Sequence, residues 1–474
     1  MSKSVRSALE VTSALEGPPL KKLCSLIFVL LSSLIPGRSL AQVTLPTSNG
    51  DIGAQINAAA AALPASGGKI VIETQANGQC YSFSIPIVLT KAIILEGQGP
   101  STCLRFSGSG VAVSVYGNDP SFVPGGSYAD GFGLRDLTLL GSGVTGSQTA
   151  LSLGGTNNSV GFYGLGLTIS NFGLGLQFGR GAWNFKIEHS IFGMNAQNVH
   201  WASSIHFGGE NMEFDSVTFV GATFANSLEF DDDITSEFSN LNSLTFVSCN
   251  FDSAQLIINN GAGSIRLYAP HFENAGVGSG NEPFVRISAH TAASDVWMDG
   301  PDFYNDQSSP YPPSFIEIDG GPTVTITQIR SVNLDGTTNV PTNIAISGNA
   351  NVTLIGDAPL RATQKQYVIT SGNPRVWVMG GQDGSSQINS LGASGVQVPN
   401  PHMTSGKVIL SSSGQATVPF AMGAQFSQTP ACTVSYQTSA PLVQPQPLSS
   451  NPYPNQIVVF GQPYIGVYFI CVGN

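Results

Sequence analysis

The sequence predicts an all-β fold: a β-solenoid with one helix at its start and a small separate β module at its end. Three observations carry that expectation. An eight-residue pattern recurs at variable spacing, an amphipathic segment precedes the first strand-like stretch, and the composition shifts near residue 380. Gly accounts for 55 of 474 residues while Asp, Glu, Lys and Arg together make 10%, so tight turns are plentiful and charged helical stretches scarce.

The chain opens on a segment that reads as an export signal. Lys21 and Lys22 precede the apolar run Leu23–Ile35, Pro36-Gly37 breaks it, and Ser39-Leu40-Ala41 supplies small residues for a cut. Basic, apolar and small residues in that order mark a cleaved signal peptide over 1–41. The run is too short for a permanent span. The mature protein is therefore expected to be secreted and extracellular, with no membrane partner.

Next comes the one expected helix, 51–63, with Ile52, Ile56, Ala60 and Leu63 on one face and Asn49 or Asp51 as cap. Pro64-Ala-Ser-Gly-Gly68 ends it and Lys69-Ile-Val-Ile-Glu73 begins the strands. A solenoid exposes an apolar cross-section at its end, which such a helix can cover.

Between 160 and 305 an eight-residue unit recurs, apolar at its first and third positions and Phe at its eighth. The copies are 165–172, 185–192, 217–224, 244–251, 265–272 and 296–303, and their Phe residues differ in number by 20, 32, 27, 21 and 31. A variable period above about twenty residues, with strand-type alternation inside each unit, signifies stacked coils carrying inserted loops. Stacking the copies puts Phe172, Phe192, Phe224, Phe251, Phe272 and Phe303 in one interior column. A second alternating strand follows most copies, as at Ser227–Asp231, Gln255–Asn259, Phe284–Ser288 and Phe315–Asp319. A β-sandwich here would need hairpin turns, and the Asn-Gly and Asp-Gly pairs that mark them are rare.

After Gly380 the chain becomes rich in Ser, Gln and Pro, with short alternating segments such as Gln415–Phe420 and Gln456–Phe460. These predict a β-sandwich over 404–474. Of six cysteines, Cys24 falls in the signal. Cys80 with Cys103, and Cys432 with Cys471, read as local disulfides, leaving Cys249 as a buried thiol.

From Asp51 through Ala92-Ile-Ile-Leu-Glu-Gly-Gln-Gly-Pro-Ser-Thr-Cys-Leu104 the chain resembles the opening of pectate-lyase-superfamily proteins: capping helix, Gly-Gly turn, paired strands, Leu-x-Gly-x-Gly turn and Thr-x-Leu. The resemblance implies a right-handed parallel β-helix over 42–400. It also implies an extracellular polysaccharide, uronate-containing in the lyases, as partner. Lyases, polygalacturonase-type hydrolases and phage tailspikes share this architecture, so it implies fold far more than chemistry. The polygalacturonase pattern (Asn-x-Asp, paired Asp-Asp, Gly-His-Gly, Arg-x-Lys) is not reproduced, and His189, His206 and His271 lack glycine flanks. A lyase or hydrolase and a non-catalytic binding or adhesin solenoid both stay open. The signal peptide speaks against a tailspike-like component. The sequence leaves monomer and trimer open.

With 18 Lys and Arg against 29 Asp and Glu, the chain lacks the basic footprint that nucleic acid requires. If positions one and three face inward, two and four face out. One outward row then reads Lys186, Thr218, Thr245, Arg266, Trp297, and the other Thr168, Glu188, Val220, Val247, Tyr268, Asp299. Rings beside fixed polar groups suit sugars, so Trp297 and Tyr268 with Lys186, Glu188, Arg286 and Glu317 are the expected substrate contacts. Glycoside hydrolysis needs two carboxylates, for which Asp299 with Asp302, or Glu229 with Asp231, qualify. A lyase would use Arg266 or Arg286 as base, with calcium, the one cofactor the sequence suggests, on Asp231, Asp232 and Asp233.

Overall fold

A computed structural model of the chain describes residues 41–473, apart from 47–49, 117–131, 155–158, 180, 202–208, 223–226, 232–240, 242, 260–262, 274–281, 290–294, 306–311, 334–341, 358–364, 382–388, 391–401, 420–428, 437–448, 454 and 462. The expected signal peptide, Phe224, Asp232 and Asp233 therefore lie outside the described residues.

Each turn of the expected parallel β-helix has three strands, and the eight-residue unit supplies two of them. One turn runs Ser264–Tyr268 in a first sheet, His271–Glu273 in a second and Val285–Ala289 in a third. Each pairs in parallel with its counterpart in the next turn, Asp295–Asp299, Asp302–Asn305 and Ile316–Gly320. From Arg135 onward the chain passes from first to second sheet in two residues, eight times over. The first residue of every such pair has positive φ: Asp136, Gly166, His189, Ser216, Ser248, Ala269, Gly300 and Gln328. One left-handed residue bends the backbone sharply and shifts the parity of the alternation. Both strands of the unit thereby turn an apolar row inward, which is why its buried positions are odd before the corner and even after it.

The corner, rather than the Phe spacing, sets the phase. In the second sheet Ile169, Phe192, Phe219, Phe251, Phe272 and Phe303 are in register and buried. Ring centroids are 5.6 Å apart for Phe192–Phe219, 5.4 Å for Phe219–Phe251, 4.5 Å for Phe251–Phe272 and 4.9 Å for Phe272–Phe303. The expected column thus needs correction at two places. Phe219 stands where Phe224 was expected, and Ile169 where Phe172 was. Phe172 is buried beyond its strand, its N–H donating to Asn195 Oδ1 at 3.0 Å. Phased on the corner, these two copies are 162–169 and 212–219.

Helix α1, Ile52–Ala62, packs on Tyr81–Phe83 and Ile87–Leu89, the first strands of the second and third sheets, and buries Ile52, Ile56, Ala59 and Ala60. Asp51 caps it, accepting from Ala54 N at 3.1 Å, and also accepts from Ser84 N at 2.7 Å and Ile85 N at 3.3 Å. Burial raises the Asp51 pKa, but these donors outweigh it and hold the carboxyl below its ordinary value. At the other end Lys91 Nζ donates to the carbonyls of Ala60, Ala61 and Leu63, satisfying groups the helix leaves open.

At the C-terminal end the first sheet continues from Arg375–Gly381 into His402–Ile409, where pairing turns antiparallel with Gly466–Gly473 and then Ala431–Tyr436. A second antiparallel trio, Gln415–Pro419, Gln456–Phe460 and Ser449–Tyr453, completes a small module around Leu410, Ile457, Val459, Val467 and Phe469. Cys432–Cys471 staples adjacent strands of it, and Cys80–Cys103 staples the start of the helix proper. Cys249 is free and buried, and that burial pushes its thiol up to about 12, so it is an inert part of the core.

Candidate functional site

Three outer faces carry the candidate residues. On the first sheet Lys186, Thr245, Arg266 and Trp297 do share one row, and Glu188, Val247, Tyr268 and Asp299 the other. Thr168, Thr218 and Val220 belong to the second sheet instead, because they came from misphased or post-corner positions. The residues that take the vacant places are Glu213 beside Lys186 and Asp215 beside Glu188.

Most of the charge on this face is internally engaged. Lys186 Nζ is 2.6 Å from Glu188, 2.9 Å from Glu213 and 3.6 Å from Asp215. The Tyr163 hydroxyl donates to Glu188, and the Arg135 guanidinium stands 5.1 Å from the Tyr163 ring centroid. The Lys186 and Tyr163 donors hold the Glu188 carboxyl below its ordinary value, while that carboxylate raises the pKa of both partners. Arg266 is 2.5 Å from Asp295 Oδ2 and also donates to the carbonyls of Ile265 and Asp295 at 3.3 and 3.2 Å. Asp299 accepts from the Thr327 hydroxyl.

The expected catalytic set Asp299, Asp302 and Arg266 is divided by this geometry. Asp302 lies beyond the Gly300-Pro301 corner on the second sheet, where its Oδ2 is 3.3 Å from His271 Nδ1 and His271 Nε2 is 3.6 Å from Glu273. Arg266, clamped as a cation by Asp295, is poorly placed to act as a base.

Arg286 and Glu317 are on yet another face, that of the third sheet. There Gln177, His200, Glu229, Ile257, Arg286 and Glu317 form one outward row. Arg286 is 2.5 Å from Glu282 and 3.5 Å from Glu317, and Gln197 Nε2 donates to Glu229 Oε2 at 3.1 Å. Glu229 and Asp231 alternate along Leu228–Asp231 and so share the outward face, their Cα atoms about 6.6 Å apart. Ile257 points out in the same row and is only 3% exposed, while Arg286 beside it is 33% exposed. The longest connections precede or follow this sheet in the chain. The chain leaves the third sheet through 116–132, 202–211 and 232–242, and reaches it through 274–284, 306–315 and 334–341.

Of the suggested calcium ligands, Asp231 ends a third-sheet strand and the other two are not described. Among the described residues no group of three His, Cys, Asp or Glu side chains is arranged to hold a metal ion, and no helix is long and apolar enough to cross a membrane. Sequence reasoning missed Tyr163, Glu213 and Asp215. A residue of small or polar type at each corner would have phased the copies and exposed them.

No protein-family model matches the chain, and no characterised protein sequence does. Solved structures similar to it are parallel β-helix proteins. The enzymatically active domain of bacteriophage CBA120 tailspike protein 4 is 13% identical, with 92% of this chain and 66% of that one covered and a TM-score of 0.48. A mannuronan C-5 epimerase A-module from Azotobacter vinelandii is 11% identical, covering 74% and 94%, with a TM-score of 0.44. The tailspike of E. coli bacteriophage HK620, solved with a pentasaccharide, is 11% identical, covering 93% and 92%, with a TM-score of 0.43. The chain thus spans just under two thirds of the first of these.

Proposed function

We propose that this chain is exported and engages a polysaccharide on the outer face of the third sheet, and that Glu229 and Asp231 are the carboxylates that cleave it. In this reading 42–400 is the working domain and 404–474 an appended β module. The observation that carries it is the outward polar row: two carboxylates on one strand, with Arg286 two turns away, on the sheet that the longest connections precede or follow in the chain. A spacing of about 6.6 Å between their Cα atoms is compatible with the roughly 5–9.5 Å that separates paired carboxyl groups in glycosidases. The Gln197 amide fixes the rotamer of Glu229, and the remaining N–H groups of Arg286 are available to sugar hydroxyls. Hydrolysis is favoured over a lyase reaction because Arg286, the arginine of this face among the described residues, is already paired with Glu282 and Glu317, and Arg266 is on another sheet and paired with Asp295. Export is supported by the Lys21–Ala41 segment and by the two disulfides, which form in oxidising compartments.

The test is a panel of purified polysaccharides incubated with the exported protein, read for new reducing ends and for the absorbance of unsaturated uronides. Reducing ends without that absorbance are expected. Unsaturated products would replace the hydrolytic reading with a lyase one. Binding without either product would assign the protein to the non-catalytic class.

A further inference from the structure

We infer a second carbohydrate site, specific for uncharged glycans, on the outer face of the first sheet around Trp297 and Tyr268. This site is independent of the cleavage reading, since it lies on a different sheet and uses none of the same residues.

Three features lead to it. Trp297 is half-buried in its row between Arg266 and Thr325, while Tyr268, one turn earlier in the adjoining row, is 41% exposed. Two rings on neighbouring turns thus face solvent on a diagonal, because Tyr268 pairs with Asp299 and Arg266 with Trp297, about 7–8 Å apart. A glycan crossing the strands obliquely therefore meets both rings with nearby sugars. Second, the polar groups beside the rings are held in place. Arg266 is fixed by Asp295 and two carbonyls, and Asp299 by the Thr327 hydroxyl, so donors and acceptors for sugar hydroxyls are oriented before binding. Third, the cation beside the rings is taken, Arg266 by Asp295, and Lys186 further along the face is held by three carboxylates; the exposed Arg375 lies three turns beyond Asp295. Beside the rings a polyuronate would lie against Asp299 and, among the described residues on those two turns of the first sheet, would meet no unpaired cation. An uncharged glycan avoids that repulsion.

The experiment is affinity electrophoresis of the full exported chain in gels cast with hydroxyethylcellulose, galactomannan or polygalacturonate, at low and high salt. Retardation is expected in at least one neutral gel, and high salt should leave it unchanged because no ion pair forms with the polymer. Trp297→Ala should weaken it about tenfold, and Thr325→Arg, which adds bulk beside Trp297 without emptying the core, should do the same. Loss of retardation in both first-sheet variants separates this site from the cleavage groove, whose sheet neither substitution touches. Retardation only in polygalacturonate, none in a neutral gel, or retardation that survives both first-sheet substitutions would overturn the inference.

Discussion

The corner joining the first and second sheets and the two flanks of the third sheet follow opposite rules. The corner is two residues long in eight successive turns, always with a left-handed first residue, and in five of them it sits beside a stack of buried rings, Phe192, Phe219, Phe251, Phe272 and Phe303. The flanks range from one residue, Ala196, to the seventeen of 116–132. A bend that must keep two buried rows in register tolerates no change of length, since one extra residue would turn every side chain of the next strand over. Connections at the third sheet carry no such constraint and are free to vary. The rigid side holds the register and the variable side is available for chemistry.

The largest effect is expected inside the rigid side. Phe251→Ala should lower stability by about 3–5 kcal/mol, because it empties a site packed by Phe219, Phe246 and Phe272 rings. Chemical denaturation measures it, and a loss under about 1 kcal/mol would mean that the column is not continuous. The corner itself should respond next. A Cβ on Gly300 would meet nothing within 4 Å, so Gly300→Ala isolates the left-handed backbone term, about 1–2 kcal/mol. Ala269→Gly, at φ 48° one turn earlier, should act in the opposite direction. Equal responses from both would show that the corner is not what fixes the backbone.

The smallest effect concerns charge on the first sheet. Glu188 has its carboxyl held below the ordinary value of 4.5, so its contribution is present above that pH and fades as pH falls through the folded value. Being partly exposed, it should amount to less than about 1 kcal/mol. The melting-temperature gap between the wild type and Glu188→Gln should therefore be widest near neutrality and close below about pH 4. A gap that persists at low pH would assign the effect to packing instead.

The same comparison explains what the sequence could reveal. Alternation, helix capping by Asp51 and both disulfides are local and were legible, as was the inward direction of Phe192, Phe251, Phe272 and Phe303. The phase of the 165 and 217 copies was not, because a period-two pattern looks alike on either side of a bend and only the left-handed residue breaks the tie. That is why Glu213 and Asp215 went unseen next to Lys186. The division of Asp299, Asp302 and Arg286 among three faces was equally hidden. A reading with two strands per turn merges faces that a three-stranded turn points in different directions.

The most direct test sets one carboxylate of each region against the other, using whichever polysaccharide the panel shows to be cleaved. Glu229→Gln should reduce kcat about 100-fold or more, the usual scale for removing a positioned acid or base, with binding retained. Asp299→Asn, on the first sheet, should leave kcat within about twofold. A collapse of turnover in Asp299→Asn together with normal turnover in Glu229→Gln would contradict the account and move the chemistry to the first sheet.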